Sequence, residues 1–135
     1  MSTEMSRRRF FRTAAKAGIV VAAPMIVPAS VLGQGGATPP SEKIILGAIG
    51  IGGRGSYILQ CFLGEPDVRC VAVCDVQAQR RTAAKRAADT RNGNQECATY
   101  RDLRELLDRP DLDAVMIATG PNWHTTAACT AARAG

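Results

Sequence analysis

The feature that most restricts how this chain can fold is a glycine cluster, Gly50-Ile51-Gly52-Gly53-Arg54-Gly55. It lies between an unbroken apolar run, Ile44 to Ile49, and a stretch where Ile58, Leu59, Phe62 and Leu63 recur at helical spacing. A Gly-x-Gly-x-x-Gly pattern alone is a weak signal, because glycine-rich loops are common. Leaving a buried strand and opening a helix, it carries chemistry. Gly50 permits a tight turn, Gly52 lets backbone approach a pyrophosphate, and Gly55 allows close packing of helix on strand. The helix start that follows offers free N–H groups and a partial positive charge to phosphates. Gly53 and Arg54 complete the loop. Arg54 reads equally well as a pyrophosphate contact and as a solvated surface arginine.

The second half of the pattern is Asp75, twenty residues past Gly55 at the end of the apolar run Arg69 to Cys74. A carboxylate there can accept hydrogen bonds from both ribose hydroxyls of an adenosine and would repel a 2′-phosphate, so NAD is favoured over NADP. Arg80 and Arg81 act against that preference, since an arginine just inside the next helix can neutralise a phosphate. A plainer role for Asp75 is to cap the helix that begins near Gln77.

The remaining chain alternates strand and helix. A linker over 34–42 is marked by Gly and Pro. After the second strand, residues 77–89 are rich in Ala, Lys and Arg and predict a helix that Asn92-Gly93-Asn94 breaks. A short third strand is expected near Cys97–Thr99. A helix over 101–108 would turn Leu103, Leu106 and Leu107 to the core. A fourth strand is expected over Asp113–Ala118 and an Ala-rich helix over 123–134. Strands that are apolar throughout and alternate with helices predict an α/β, doubly wound parallel sheet of the Rossmann, NAD(P)-binding kind.

Charge is distributed unevenly. The formal net charge is +5, but residues 1–33 hold Arg7, Arg8, Arg9, Arg12 and Lys16 against Glu4 alone. The later residues are nearly balanced, with twelve basic and eleven acidic side chains, so no basic face for nucleic acid is expected. Ser6-Arg7-Arg8-Arg9-Phe10-Phe11-Arg12 resembles the twin-arginine export signal. The apolar stretch that follows, Ala17 to Ala29, is short and interrupted by Gly18, Pro24 and Pro28, the layout of a signal peptide rather than a membrane span. A leader over 1–33, engagement of the twin-arginine export machinery and a periplasmic or other extracytoplasmic location are therefore expected. The five cysteines show no Cys-x-x-Cys spacing, and neither a metal site nor a disulfide framework is expected from them.

Beyond the linker, residues 43–135 resemble the Gfo/Idh/MocA family of oxidoreductases. Besides the glycine loop, the resemblance rests on Val71-Ala72-Val73-Cys74-Asp75-Val76, on Tyr100-Arg101-Asp102-Leu103-Arg104-Glu105-Leu106-Leu107, and on Asp113-Ala114-Val115-Met116-Ile117-Ala118-Thr119 followed by Trp123-His124. Relatives often carry Ala-Thr-Pro-Asp-His-Trp-His where this chain has Ala118-Thr119-Gly120-Pro121-Asn122-Trp123-His124. The family sets this loop against the nicotinamide side of the cofactor, which makes Thr119, Asn122 and His124 candidate contacts. His124 reads equally as a helix-start residue that packs or caps.

The resemblance implies NAD or NADP as cofactor and a sugar or polyol as substrate. It also implies a later Glu-Lys-Pro motif and a carboxy-terminal substrate domain, neither of which occurs before Gly135. The expectation is thus a fragment with an incomplete Rossmann domain and no catalytic residue of its own. Two alternatives stand beside an oxidoreductase. One is an NAD-dependent glycosidase of the alpha-N-acetylgalactosaminidase type, and the other is a non-catalytic dinucleotide-binding fragment.

Overall fold

In a computed structural model, which describes Pro39 and residues 42–135, the apolar run after the linker forms strand β1 (Ile44–Ile49) and the glycine cluster opens helix α1 (Gly53–Gly64). The proposed leader and nearly all of the linker lie outside the described residues. Then come β2 (Val68–Cys74), α2 (Ala78–Asn92), β3 (Ala98–Tyr100), α3 (Leu103–Leu107), β4 (Ala114–Ile117) and α4 (Pro121–Ala134). All strand pairings are parallel, in the order β3-β2-β1-β4. This is the expected doubly wound Rossmann arrangement, with β1 at the centre.

Each sheet face carries its own core. On one, Leu59 and Leu63 of α1 and Ala84 and Ala88 of α2 meet Leu46, Ala48, Cys70, Val73 and Met116. On the other, Leu106 of α3 meets Ile49, Ala72 and Cys74, with Leu103, Leu107 and Leu112 around it. Gly47 is why α3 can come so close. A side-chain carbon there would sit 2.9 Å from Leu106 Cδ2 and 3.1 Å from Leu112 Cδ1. Helix α4 packs on β4 and α3, so β1 and β4 send their helices to opposite faces. In such sheets the point where direction reverses opens a crevice at the carboxyl ends of the strands.

Element ends differ from expectation by a few residues, for local reasons. Helix α2 runs to Asn92, and Gly93, in the left-handed region at φ 70°, terminates it by donating its N–H to Asp89 O. Helix α3 is cut to five residues by its cap at Asp102, whose Oδ1 accepts from Arg104 N at 2.9 Å. Helix α4 begins at Pro121, because proline suits a first turn whose N–H groups have no intrahelical partner. Strand β4 is shorter than expected, but Asp113 and Ala118 still bind β1. Asp113 N donates to Ile45 O, Asp113 Oδ2 accepts from Ile45 N, and Ala118 N donates to Ile49 O.

Candidate functional site

The glycine loop turns at the carboxyl end of β1, where its backbone is gripped from both neighbouring strands. Gly50 N donates to Cys74 O at 2.8 Å. Gly50 takes φ +85°, and a Cβ there would lie 2.7 Å from Thr119 N and 2.8 Å from Ala118 C. Both conformation and crowding therefore demand glycine. Gly55 is required for a different reason, since a Cβ on it would collide with the Gly50 carbonyl oxygen. This is the close approach of helix to strand that the motif predicts.

Gly52 and Gly53 have no such internal reason. Gly52 sits at φ −73°, which any residue can adopt. A Cβ on it would meet only Arg80 Nη1, at 3.6 Å, and one on Gly53 would meet nothing within 4 Å. The space they leave open lies over the first turn of α1. That helix has no side-chain cap and no acid in its first turn, so no side chain among the described residues serves its leading N–H groups. Helix α4, across the crevice, is alike in both respects.

Asp75 closes the loop from β2. Its Oδ2 accepts from Ile51 N and its Oδ1 from Gln77 N, both at 2.8 Å, and the residue is only 7% exposed. Oδ1 thus closes an Asx turn just before α2 rather than capping the helix, whose N-cap Gln77 has no side-chain cap bond, and Oδ2 grips the glycine loop. A carboxylate has about four acceptor positions, so two remain for a diol. Arg81, weighed above as a phosphate partner, instead donates from Nη1 to Asp75 O at 2.6 Å and fixes the strand end. Arg80 stands 3.9 Å from Asp75 Oδ2, at the mouth of the cradle beside Gly52. The loop-holding role of Asp75 is not visible in the sequence, because it depends on β2 lying next to β1, and the local bond of Arg81 depends on how the turn sets α2 against the end of β2.

Thr119 marks the far side. Its Oγ1 is buried yet has no hydrogen-bond partner among the described residues, an uncommon condition for a buried hydroxyl. It sits one residue after Ala118 and against Gly50. Asn122 and His124 are exposed on the first turn of α4, with His124 N donating to Gly120 O at 3.0 Å. Trp123 is 59% exposed. Arg54 lies with its guanidinium carbon 5.3 Å from the Tyr57 ring centroid, a cation–π contact on the outer surface of α1. Burial pushes the Cys74 thiol up to about 11, with Asp102 and Asp75 adding to the shift, so Cys74 is no nucleophile at neutral pH. No cluster of metal-ligating side chains occurs among the described residues.

The parts fit a dinucleotide. Two uncapped helix starts face the crevice, glycines leave room above one of them, a carboxylate stands at one end and a hydroxyl unpartnered among the described residues at the other.

Comparison with known proteins agrees. Residues 44–135 match the model of an "Oxidoreductase family, NAD-binding Rossmann fold". A glycosyl hydrolase family 109 protein of Saccharopolyspora erythraea is 37% identical over 99% of this chain and 32% of its own length. An alpha-N-acetylgalactosaminidase of Shewanella oneidensis is 35% identical over 64% of this chain and 19% of its own. Among solved structures, myo-inositol dehydrogenase of Lactobacillus casei, in complex with NAD(H) and myo-inositol, superposes with a TM-score of 0.58. It is 26% identical, covering 66% of this chain and 25% of that one. The chain spans a third or less of the length of these relatives.

Proposed function

Because the chain belongs to the Gfo/Idh/MocA family of oxidoreductases and has its NAD-binding Rossmann fold, we propose that it is the coenzyme-holding part of an exported enzyme that acts on a sugar or polyol. The observation that carries the site assignment is the space above Gly52 and Gly53, which no packing among the described residues explains. In this reading the leading N–H groups of α1 hold the pyrophosphate. Asp75 keeps the loop in shape through Ile51 N and turns its remaining lone pairs to the adenosine ribose. Arg80 borders that end, where it would also lower the cost of a 2′-phosphate. Thr119 gives its free hydroxyl to the nicotinamide half, with Asn122 and His124 beside it on α4. Bound there, NAD supplies a hydride acceptor, while the protein supplies orientation. No general acid or base is assigned within this chain.

A second reading is favoured by the relatives named as glycosyl hydrolases, one of which aligns along nearly all of this chain. Here retained NAD oxidises the sugar transiently during glycoside cleavage. In a longer form of the protein that includes the substrate-binding part, accumulation of NADH with a polyol supports the first reading. Release of sugar with no net NADH supports the second. Export rests on the twin-arginine pattern at Arg7 and Arg8, and changing both to Lys is expected to abolish it. Continued export of the double variant would remove that claim.

Gly52→Ala tests the cradle directly. The added methyl has ordinary room in the protein, so thermal stability should hold, while NAD affinity measured by calorimetry should fall about tenfold or more. Unchanged affinity would remove the assignment.

A further inference from the structure

The linear spacing of the five cysteines predicts no pairing, but the fold brings two of them together. Strand β2 has a bulge where it pairs with β1. Leu46 lies opposite Cys70 and Gly47 opposite Ala72, leaving Val71 as the extra residue. The bulge breaks the alternation of faces, so that Cys70 and Val73, three apart, enter the same core, while Val71, Ala72 and Cys74 enter the other. Cys97, just before β3, enters the Cys70 core. In the β2–β3 ladder Ala72 lies opposite Ala98, which places Cys97 level with Val71, one step along from Cys70. One strand spacing and one residue step put the two Cα atoms about 6 Å apart, inside the range a disulfide spans. Each thiol donates to a nearby backbone carbonyl, Cys70 to Ala72 O and Cys97 to Ala98 O, both at 3.7 Å, and the two are close enough to shift one another's titration.

Three side chains of α2 hold this pair in place. Asn92 Nδ2 donates to Cys70 O at 2.7 Å, Asp89 Oδ1 accepts from Cys97 N at 2.9 Å, and Lys85 Nζ donates to Cys97 O at 2.8 Å. Both residues are buried, but β3 is one of the two edge strands among the described residues and only three residues long. Edge strands of this kind open locally before the sheet does.

We propose that Cys70 and Cys97 are an oxidant-sensitive pair that closes to a disulfide joining β2 to β3. Hydrogen bonding from Cys97 lowers the Cys70 thiol below its ordinary range, while its tie to Cys70 and burial raise Cys97. A peroxide oxidises the Cys70 thiol to a sulfenic acid, transferring one oxygen and leaving as water. The Cys97 sulfur then attacks the Cys70 sulfur, the S–OH bond breaks, and hydroxide leaves with the Cys97 proton as a second water. Two thiols lose two electrons in all, and the peroxide gains them. The bridge would enclose Asp75 and all of α2, the adenosine side of the cradle.

The test uses the chain with Cys61→Ser and Cys129→Ser, both exposed positions, which leaves Cys70, Cys74 and Cys97. After treatment with hydrogen peroxide and unfolding, free thiols should fall from three to one, and dithiothreitol should restore them. Non-reduced peptide mapping should link Cys97 to Cys70, with fragmentation separating Cys70 from Cys74 on their shared tryptic peptide. Adding Cys70→Ala should abolish the link. The same map on the unsubstituted chain guards against a variant that fails to fold. An unchanged thiol count, a link through Cys74, or higher oxidation without a link would each overturn the proposal.

Discussion

At the residue scale, the four glycines of the loop separate into two kinds that look the same in sequence. Gly50 and Gly55 are needed by the fold, because any Cβ there strikes backbone. Gly55→Ala should therefore cost about 1–3 kcal/mol or more of stability, the range for overpacking, seen as a lower unfolding midpoint in urea. Gly52 and Gly53 have space around them and should tolerate alanine without loss of stability. Asp75 also has a double role. Both of its oxygens accept from backbone N–H groups, whereas an asparagine side chain has only one acceptor oxygen. Asp75→Asn should leave one buried donor facing an amide N–H and cost about 1–3 kcal/mol, measurable in the absence of any coenzyme. The glycine pattern and the distant acid were legible in the sequence because chemistry fixes their spacing. The bond from Ile51 to Asp75 was not, because it joins residues that meet only when β2 pairs with β1.

At the scale of elements, polar side chains of α2 hold segments that come before and after it. Arg91 donates from Nε to Leu63 O at 2.5 Å and from Nη2 to Gly64 O and Glu65 O, covering the last carbonyls of α1. Arg91→Met keeps the aliphatic stem and removes these donors, so hydrogen exchange at the end of α1 should quicken while β2 stays protected. At the other side, the Lys85 ammonium, 2.8 Å from Asp89 Oδ2, and the Cys97 N–H hold the Asp89 carboxyl below its ordinary value of 3.8. A depressed carboxylate stabilises the fold fully above its unfolded value and loses that contribution as pH falls through the folded one. The thermal midpoint should therefore drop with acid below about pH 4, and less steeply in Asp89→Asn. Periodicity placed these helices to within a few residues. Their exact ends depended on Gly93 and Asp102, where capping bonds outweighed propensity, and on Pro121, whose fixed φ suits the first turn of an otherwise uncapped helix.

At the scale of the molecule, the sheet order leaves β4 bonded to β1 on one side, with no strand along its outer edge among the described residues. Such an edge is a template for pairing with another chain. The 135-residue chain should associate with itself as concentration rises, and Ala114→Lys, at an exposed position of β4, should reduce that association in sedimentation. The order of elements, the parallel class of the sheet and the place of the glycine loop were determined by the sequence alone, since each follows from local periodicity and from residue types that one backbone shape requires. Which cysteines meet, which glycines are free of packing and which carboxylate holds the loop were decided only by tertiary structure. Each of these depends on a register between strands, and a single bulged residue at Val71 changes the face on which a side chain falls.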